Sequence, residues 1–267
     1  MKDPRGRPKY ELKLFTKALD VLNLFDKPGK QYSFKEIHST LKCNRTSLFR
    51  IIKNLEEAAF LEKDAESRKY CLGLKLLFFG SMVEPHSHIK RIARPLLEKL
   101  SAQCDETVQL VTLHRGEALY IDIIEGKRAI HVISRVGMIL PAHCSGVGKV
   151  LLAALPEVEL RRIVNPLGLK KLTPNTITSF EVLREELHRV RQNGYAIDNE
   201  ESEVGLKCVA APLFDSKGKV VSALSISGPR DRFDEDKIPM LVAAAKTTAR
   251  EISAHLKRLA SISGLGN

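Results

Sequence analysis

The stretch SFKEIHSTLKCNRTSLFRIIKNLEEAAF, residues 33–60, constrains the fold most tightly. Ser33 and Glu36 have the spacing of a capping box, which opens a short helix running to about Leu41. Only Lys42 and Cys43 remain for a turn before Asn44, a residue that accepts well from the first amides of a following helix. That next helix places Leu48, Ile52, Leu55 and Ala59 on one stripe at helical spacing. Off the stripe lie Arg45, Thr46, Ser47, Phe49, Arg50, Lys53 and Asn54, the residue types that base edges and phosphates accept. The acidic residues Glu56 and Glu57 come only in the last turns. Upstream, Leu14 or Phe15, Ala18, Leu22 and Phe25 predict a first helix stopped by Pro28-Gly29. Downstream, Phe60-Leu61 and Tyr70–Leu72 are short strand candidates around a loop from Asp64 to Lys69, tipped by Arg68 and Lys69. Helix, short helix, tight turn, basic helix and hairpin make a winged helix-turn-helix. The bland alternative is a three-helix domain whose basic helix is merely solvated.

Charge follows this pattern. The chain carries a formal +11, and residues 1–80 hold 17 Lys and Arg against 10 Asp and Glu. A positive excess concentrated in one segment suits a polyanionic partner, here double-stranded DNA. At the start, Arg5-Gly6-Arg7-Pro8 sits where Pro4 and Pro8 forbid a regular helix. It resembles the core of an AT-hook, which implies that Arg5 and Arg7 enter a narrow minor groove. A solvated tail is the alternative.

Other classes fit poorly. No apolar run approaches a membrane span, and the basic N-terminus lacks the apolar core of a secretory signal. Five widely spaced cysteines without CxxC pairs suggest reduced thiols in a cytoplasmic protein. No nucleophile elbow or nucleotide loop appears, and adjacent His143 and Cys144 need not activate each other. The expectation is no enzyme and no cofactor. His143, Cys144, Asp198 and Cys208 offer metal-ligating atoms without diagnostic spacing, so no metal is assigned.

The rest reads as α+β. LKLLFFGSMV predicts a linker helix, followed by an amphipathic helix with Ile92, Leu96, Leu97 and Leu100 on one face and a warning Pro95 inside. Strands are expected around Arg115-Gly116, over AIHVISRVG (residues 129–137), and on both sides of the turn DSKG. Helices are expected from SGVGKVLLAAL, from FEVLREELHRVRQNG and at the C-terminus. The expected division is a basic arm at 1–10, a DNA-binding domain at 11–73, a linker helix at 74–90 and an effector-binding, oligomerising domain at 91–262.

Taken in order, KALDVLNLF, TSLFRIIKNLEEAAFL, KYCLGLKLL, RVGMILPAHCSGVGKVLLAAL, the segment 173–201, GLKCVAAPLFDSKGKVVSALSISGP and AAAKTTAREIS resemble the IclR family of bacterial transcription regulators over nearly the whole chain. The resemblance implies a winged helix joined to a GAF-like, antiparallel-sheet effector domain. It also implies a homodimer or dimer of dimers on a pseudo-palindromic operator, answering to a small organic acid or aromatic compound. It points to Gly146, Val147, Asp198, Cys208, Ser225 and Ser227 as effector contacts. Leu140, Val132 and Leu206 are candidates for apolar wall. Ser225 and Ser227 share one strand face, and the amides opening the helix at Gly146 suit an anion. The bland readings are serines satisfying a sheet edge, a buried core cysteine and a turn-capping Asp198. Two departures stand out: Ala59 replaces a customary glycine, and Cys144–Val147 replace customary Thr and Ala. The competing reading of the C-terminal domain is a sensor of a partner protein and of no metabolite.

Overall fold

The computed structural model describes residues 12–27 and 29–262. Arg5 and Arg7 lie outside these residues. The chain forms two compact units that divide between Glu84 and Pro85.

In the first unit, α1 (Lys13–Asn23), α2 (Phe34–Leu41) and α3 (Arg45–Glu57) enclose Val21, Ile37, Leu48, Ile51 and Ile52. The capping box forms, with the Glu36 amide donating to Ser33 Oγ and the Ser33 amide to Glu36 Oε2. α1 ends at Asn23, sooner than expected, so Phe25 packs from beyond the helix, edge-on to Tyr32 at 5.3 Å. The hairpin of β1 (Leu61–Lys63) and β2 (Tyr70–Leu72) adds Leu61 and Tyr70 to this core. Tyr32 widens it by a bridge to Tyr70, which sequence patterning did not reveal.

Ala59 answers the departure at its position. The Phe60 amide donates to the Leu55 carbonyl and the Ala59 amide to Glu56, a Schellman ending for α3. Ala59 sits at φ 59°, the left-handed conformation that glycine adopts without strain. The expected single linker helix over 74–90 is instead two helices, α4 (Lys75–Ser81) and α5 (Glu84–Cys104). Pro85 falls in the first turn of α5, where a missing amide costs nothing. α5 runs unbroken through Pro95.

The second unit carries β3 (Thr107–His114), β4 (Glu117–Ile124), β5 (Ile139–Pro141), β6 (Ala196–Asn199), β7 (Leu206–Phe214) and β8 (Val220–Pro229). They form one antiparallel sheet in the order β5-β4-β3-β8-β7-β6. Arg115 and Gly116 both take positive φ, as a two-residue hairpin turn requires. Strand alternation sorts the two faces. Val108, Leu110, Val209, Leu224 and Ile226 pack towards α5 and α9 (Lys237–Ile262). Ala118, Tyr120, Ala210 and Ala223 pack with α6 (Gly146–Ala153), α7 (Glu157–Leu167) and α8 (Phe180–Asn193). α7 had no counterpart in the sequence-based expectations. It buries Leu160 and Val164, one turn apart.

Residues 129–137 are not the expected strand. They form an irregular loop exposing Ile130, Ile133 and Val136. Side chains from elsewhere tether it: Thr107 Oγ1 to the Val132 carbonyl, Gln109 Nε2 to Ser134 Oγ, and Arg232 to the Ile130 carbonyl. Among the described residues no helix is long and apolar enough to cross a membrane.

Candidate nucleic-acid interface and effector pocket

On α3 the expected outward face is outward. Arg45, Thr46, Phe49 and Arg50 are exposed, and Ser47 and Lys53 half-buried. Asn44 Oδ1 accepts the amides of Thr46 at 3.0 Å and Ser47 at 3.2 Å. Those amides are therefore spent, leaving the two hydroxyls as the polar groups on offer. The Arg45 guanidinium lies 5.8 Å from the Phe34 ring centre. Lys53 Nζ is 2.9 Å from Glu56 Oε2, which raises the Lys53 pKa and makes it a paired cation.

The wing tip is built by Asp64, whose Oδ1 accepts from the Ser67 amide at 2.7 Å and the Ser67 hydroxyl at 2.6 Å. This turn holds exposed Arg68 at φ 57°, with half-buried Lys69 beside it.

The second unit encloses a cavity of about 470 Å³ between the sheet, the 129–137 loop and the start of α6. Leu140, Val147, Asp198, Cys208, Ser225 and Ser227 all line it, together with Val132 and Leu206. Gly146 does not line it; a Cβ there would come within 2.8 Å of Cys208 Sγ, so this glycine lets α6 close onto β7. α6 is capped by Ser145 Oγ, which accepts the Gly148 amide at 3.2 Å.

The polar floor has a centre that sequence reasoning missed. Gln109 Oε1 accepts from both Ser225 Oγ and Ser227 Oγ at 2.7 Å, and Gln109 Nε2 donates to Ser134 at 2.7 Å. The two serines thus face a buried amide on a central strand, and satisfy no sheet edge. Tyr120, Met138 and Ser202 complete the wall. A lone Gln between apolar neighbours in a strand gives no distinguishing signal in one sequence.

Asp198 is spent on local structure. Its Oδ1 accepts the Glu201 amide at 2.7 Å and its Oδ2 the Ser202 hydroxyl at 2.6 Å. Burial pushes its pKa up to about 6 against the lowering by these two bonds. Burial also pushes the thiols of Cys144 and Cys208 up to about 12, so neither is a thiolate at neutral pH. His143 bonds the Lys170 carbonyl at 3.1 Å and Cys144 the Pro141 carbonyl at 3.3 Å; they are not a nucleophile and its base. Among the described residues no three His, Cys, Asp or Glu side chains gather to hold a metal.

Behind the cavity, Lys149 is fully buried. Its Nζ meets Glu201 at 2.5 Å, the Ile197 carbonyl at 2.7 Å and Glu186 at 3.3 Å. Burial pulls its pKa down, but the two glutamates outweigh that and keep the ammonium charged. A larger open groove of about 860 Å³ lies between the end of α6, α7 and α8. Two of its arginines are already engaged, Arg191 on the Ala153 and Leu155 carbonyls and Arg189 on Glu186. The smaller cavity, with hydroxyls converging inward, is the stronger ligand site.

A winged helix followed by an α+β domain with an internal pocket is the build of a two-domain transcription regulator. Residues 83–254 match the bacterial transcriptional regulator IclR C-terminal domain. The chain is 34% identical to the HTH-type transcriptional regulator XynR of Escherichia coli K12, across 83% of this chain and 88% of that one. It is 33% identical to the HTH-type transcriptional repressor AllR of the same organism, across 90% and 89%. The crystal structure of Thermotoga maritima IclR superposes with a TM-score of 0.75 at 36% identity, covering 92% of this chain and all of that one. The chain belongs to the IclR family of bacterial transcription regulators. It is an IclR-type DNA-binding regulator and not an enzyme.

Proposed function

We propose that this chain is a cytoplasmic repressor whose operator affinity is set by a small organic acid or aromatic effector held in the 470 Å³ cavity. The observation that carries this is the Gln109–Ser225–Ser227 floor, where three buried polar side chains converge beneath apolar walls. Arg45, Thr46, Ser47, Phe49, Arg50 and Lys53 meet DNA from α3, with Arg68 and Lys69 on the wing. Arg5 and Arg7 reach the minor groove from the arm. Exchanging both for Ala flattens the salt dependence of binding by about one or two counterions; an unchanged slope sinks the arm's role.

The regulator acts as a homodimer or dimer of dimers on a pseudo-palindromic operator. Exposed Leu14, Phe15 and Leu19 on α1, with Leu77 and Phe78 on α4, support pairing, because such apolar side chains on one small unit favour a cover. The effector shifts DNA affinity only in so far as it binds two states of the protein unequally, and DNA shifts effector affinity by the same factor.

The test is a thermal-shift panel of small carboxylic and aromatic acids on the full chain, with Asp198→Ala and Ser225→Ala as controls. A ligand at about 100 times its dissociation constant adds about 2.7 kcal/mol of stability. A shift that both controls abolish supports the pocket. A shift that survives both moves the ligand elsewhere, and a silent panel beside intact DNA binding favours a partner protein as the signal.

A further inference from the structure

Phe49 is out of place for a solvated helix. It sits in the second turn of α3 with 53% of its surface exposed, while the helix's other large apolar chains are buried, as Leu48, Ile51 and Ile52 are, or half-buried, as Leu55 is. It is therefore not a core residue that failed to reach the core. Helical spacing puts Arg45 and Lys53, four residues either side, and Thr46, three before, on its face, and Arg50 is exposed on the adjoining one. Its ring is braced but not covered: Phe34 meets it at 6.4 Å and 62° between planes. Phe34 is fixed in turn by His38, stacked at 6.3 Å, and by the Arg45 guanidinium.

A held aromatic ring at the centre of a cationic surface selects its partner. An apolar protein patch would leave the surrounding arginines facing carbon. A polyanion would satisfy them but leave the ring against water, unless it also presents an apolar group at the same depth. Duplex DNA does so at one place. The major-groove edges of guanine, cytosine and adenine carry only donors and acceptors, while thymine adds its 5-methyl group.

We infer that Phe49 is a specificity-determining residue that takes the 5-methyl group of a thymine in the major groove, with the cations around it engaging phosphates. This rests on the assignment of α3 as the DNA-facing helix. The Phe34 brace matters because it fixes the ring before DNA arrives, which makes the methyl contact positional and not adaptive.

The experiment uses the full chain. Duplexes enriched from a random pool supply a binding sequence, and each thymine is then replaced singly by deoxyuridine, which removes only the methyl group. The expected result is at least one position per half-site where the replacement weakens the wild type about fourfold, the worth of one buried methyl. That penalty disappears in Phe49→Ala and persists in Phe49→Leu, which keeps an apolar contact. A wild type indifferent to deoxyuridine everywhere overturns the inference and leaves the DNA-facing helix standing. A penalty undiminished in Phe49→Ala also overturns it, by assigning the methyl to another residue. A pool that never enriches overturns both together.

Discussion

The two units handle charge in opposite ways. The DNA-binding unit keeps it outside: Arg45, Arg50 and Arg68 are exposed, and its core from Val21 to Tyr70 is almost wholly apolar. The effector unit carries charge inward. Lys149, Asp198 and Glu201 are buried beside the cavity, and Asp122 is buried on the opposite face against Lys90 and Arg94. A bulge explains Asp122: Ile121 is skipped between Tyr120 and Asp122 in the register with β3, which turns Asp122 away from the cavity face. Exposed charge is cheap to hold and acts on a partner; buried charge is costly and acts on the fold. Removing an exposed charge from the first unit should therefore spare folding and change DNA binding, and removing a buried charge from the second should first of all cost stability.

The largest expected effect is at Lys149. Lys149→Met leaves buried Glu201 without its cation and Glu186 with Arg189 alone, at a cost of about 3–5 kcal/mol in urea unfolding. A loss below about 1 kcal/mol would break the contrast at its strongest point.

Asp198 sharpens it through pH. Its folded pKa of about 6 lies above its ordinary value of 3.8, so the folded state binds the proton more tightly than the unfolded chain does. This contribution is complete below about pH 4 and is lost as pH rises through about 6, to a total of roughly 3 kcal/mol. Asp198→Asn does not ionise. Its stability relative to wild type should climb between pH 4 and 7, as read from unfolding curves at three pH values; parallel curves would contradict the burial account.

Arg50→Ala tests the other side. Its stability should stay within about 0.5 kcal/mol of wild type while DNA affinity falls by about 1–3 kcal/mol. Equal losses in both would mean that the first unit also folds around its charges. The smallest effect is at Ala59, where Ala59→Gly relieves the left-handed strain and should raise the stability of the first unit by about 1 kcal/mol.

What the sequence disclosed divides along the same line. Ser33, Glu36 and Asn44 could be placed from sequence because a cap is a transaction among residues three or four apart. The pocket serines and Asp198 were reached by family resemblance, and their residue types fit a polar floor. Gln109 and Lys149 were not legible, because each is defined by partners far along the chain, Gln109 by Ser225 and Lys149 by Glu186 and Glu201; the bulge at Ile121 lies within one hairpin, but alternation alone does not say where a strand skips a residue. The segment 129–137 shows the same limit from the other direction. Its isoleucines and valines have a strand's composition, yet tethers from Thr107, Gln109 and Arg232 hold it as a loop. Local preference yields where distant side chains fix the backbone.

Gly73 has a consequence for how this chain can vary. A Cβ there would press into the Ala59 carbonyl oxygen, so the exit from the wing lies directly against the end of α3. The Gly73 amide donates to the Phe60 carbonyl and the Leu74 amide to Glu62, closing the seam. Position 59 is thus free to take glycine, while any side chain at 73 demands that the helix ending be rebuilt. The seam tolerates change from the helix side and refuses it from the strand side.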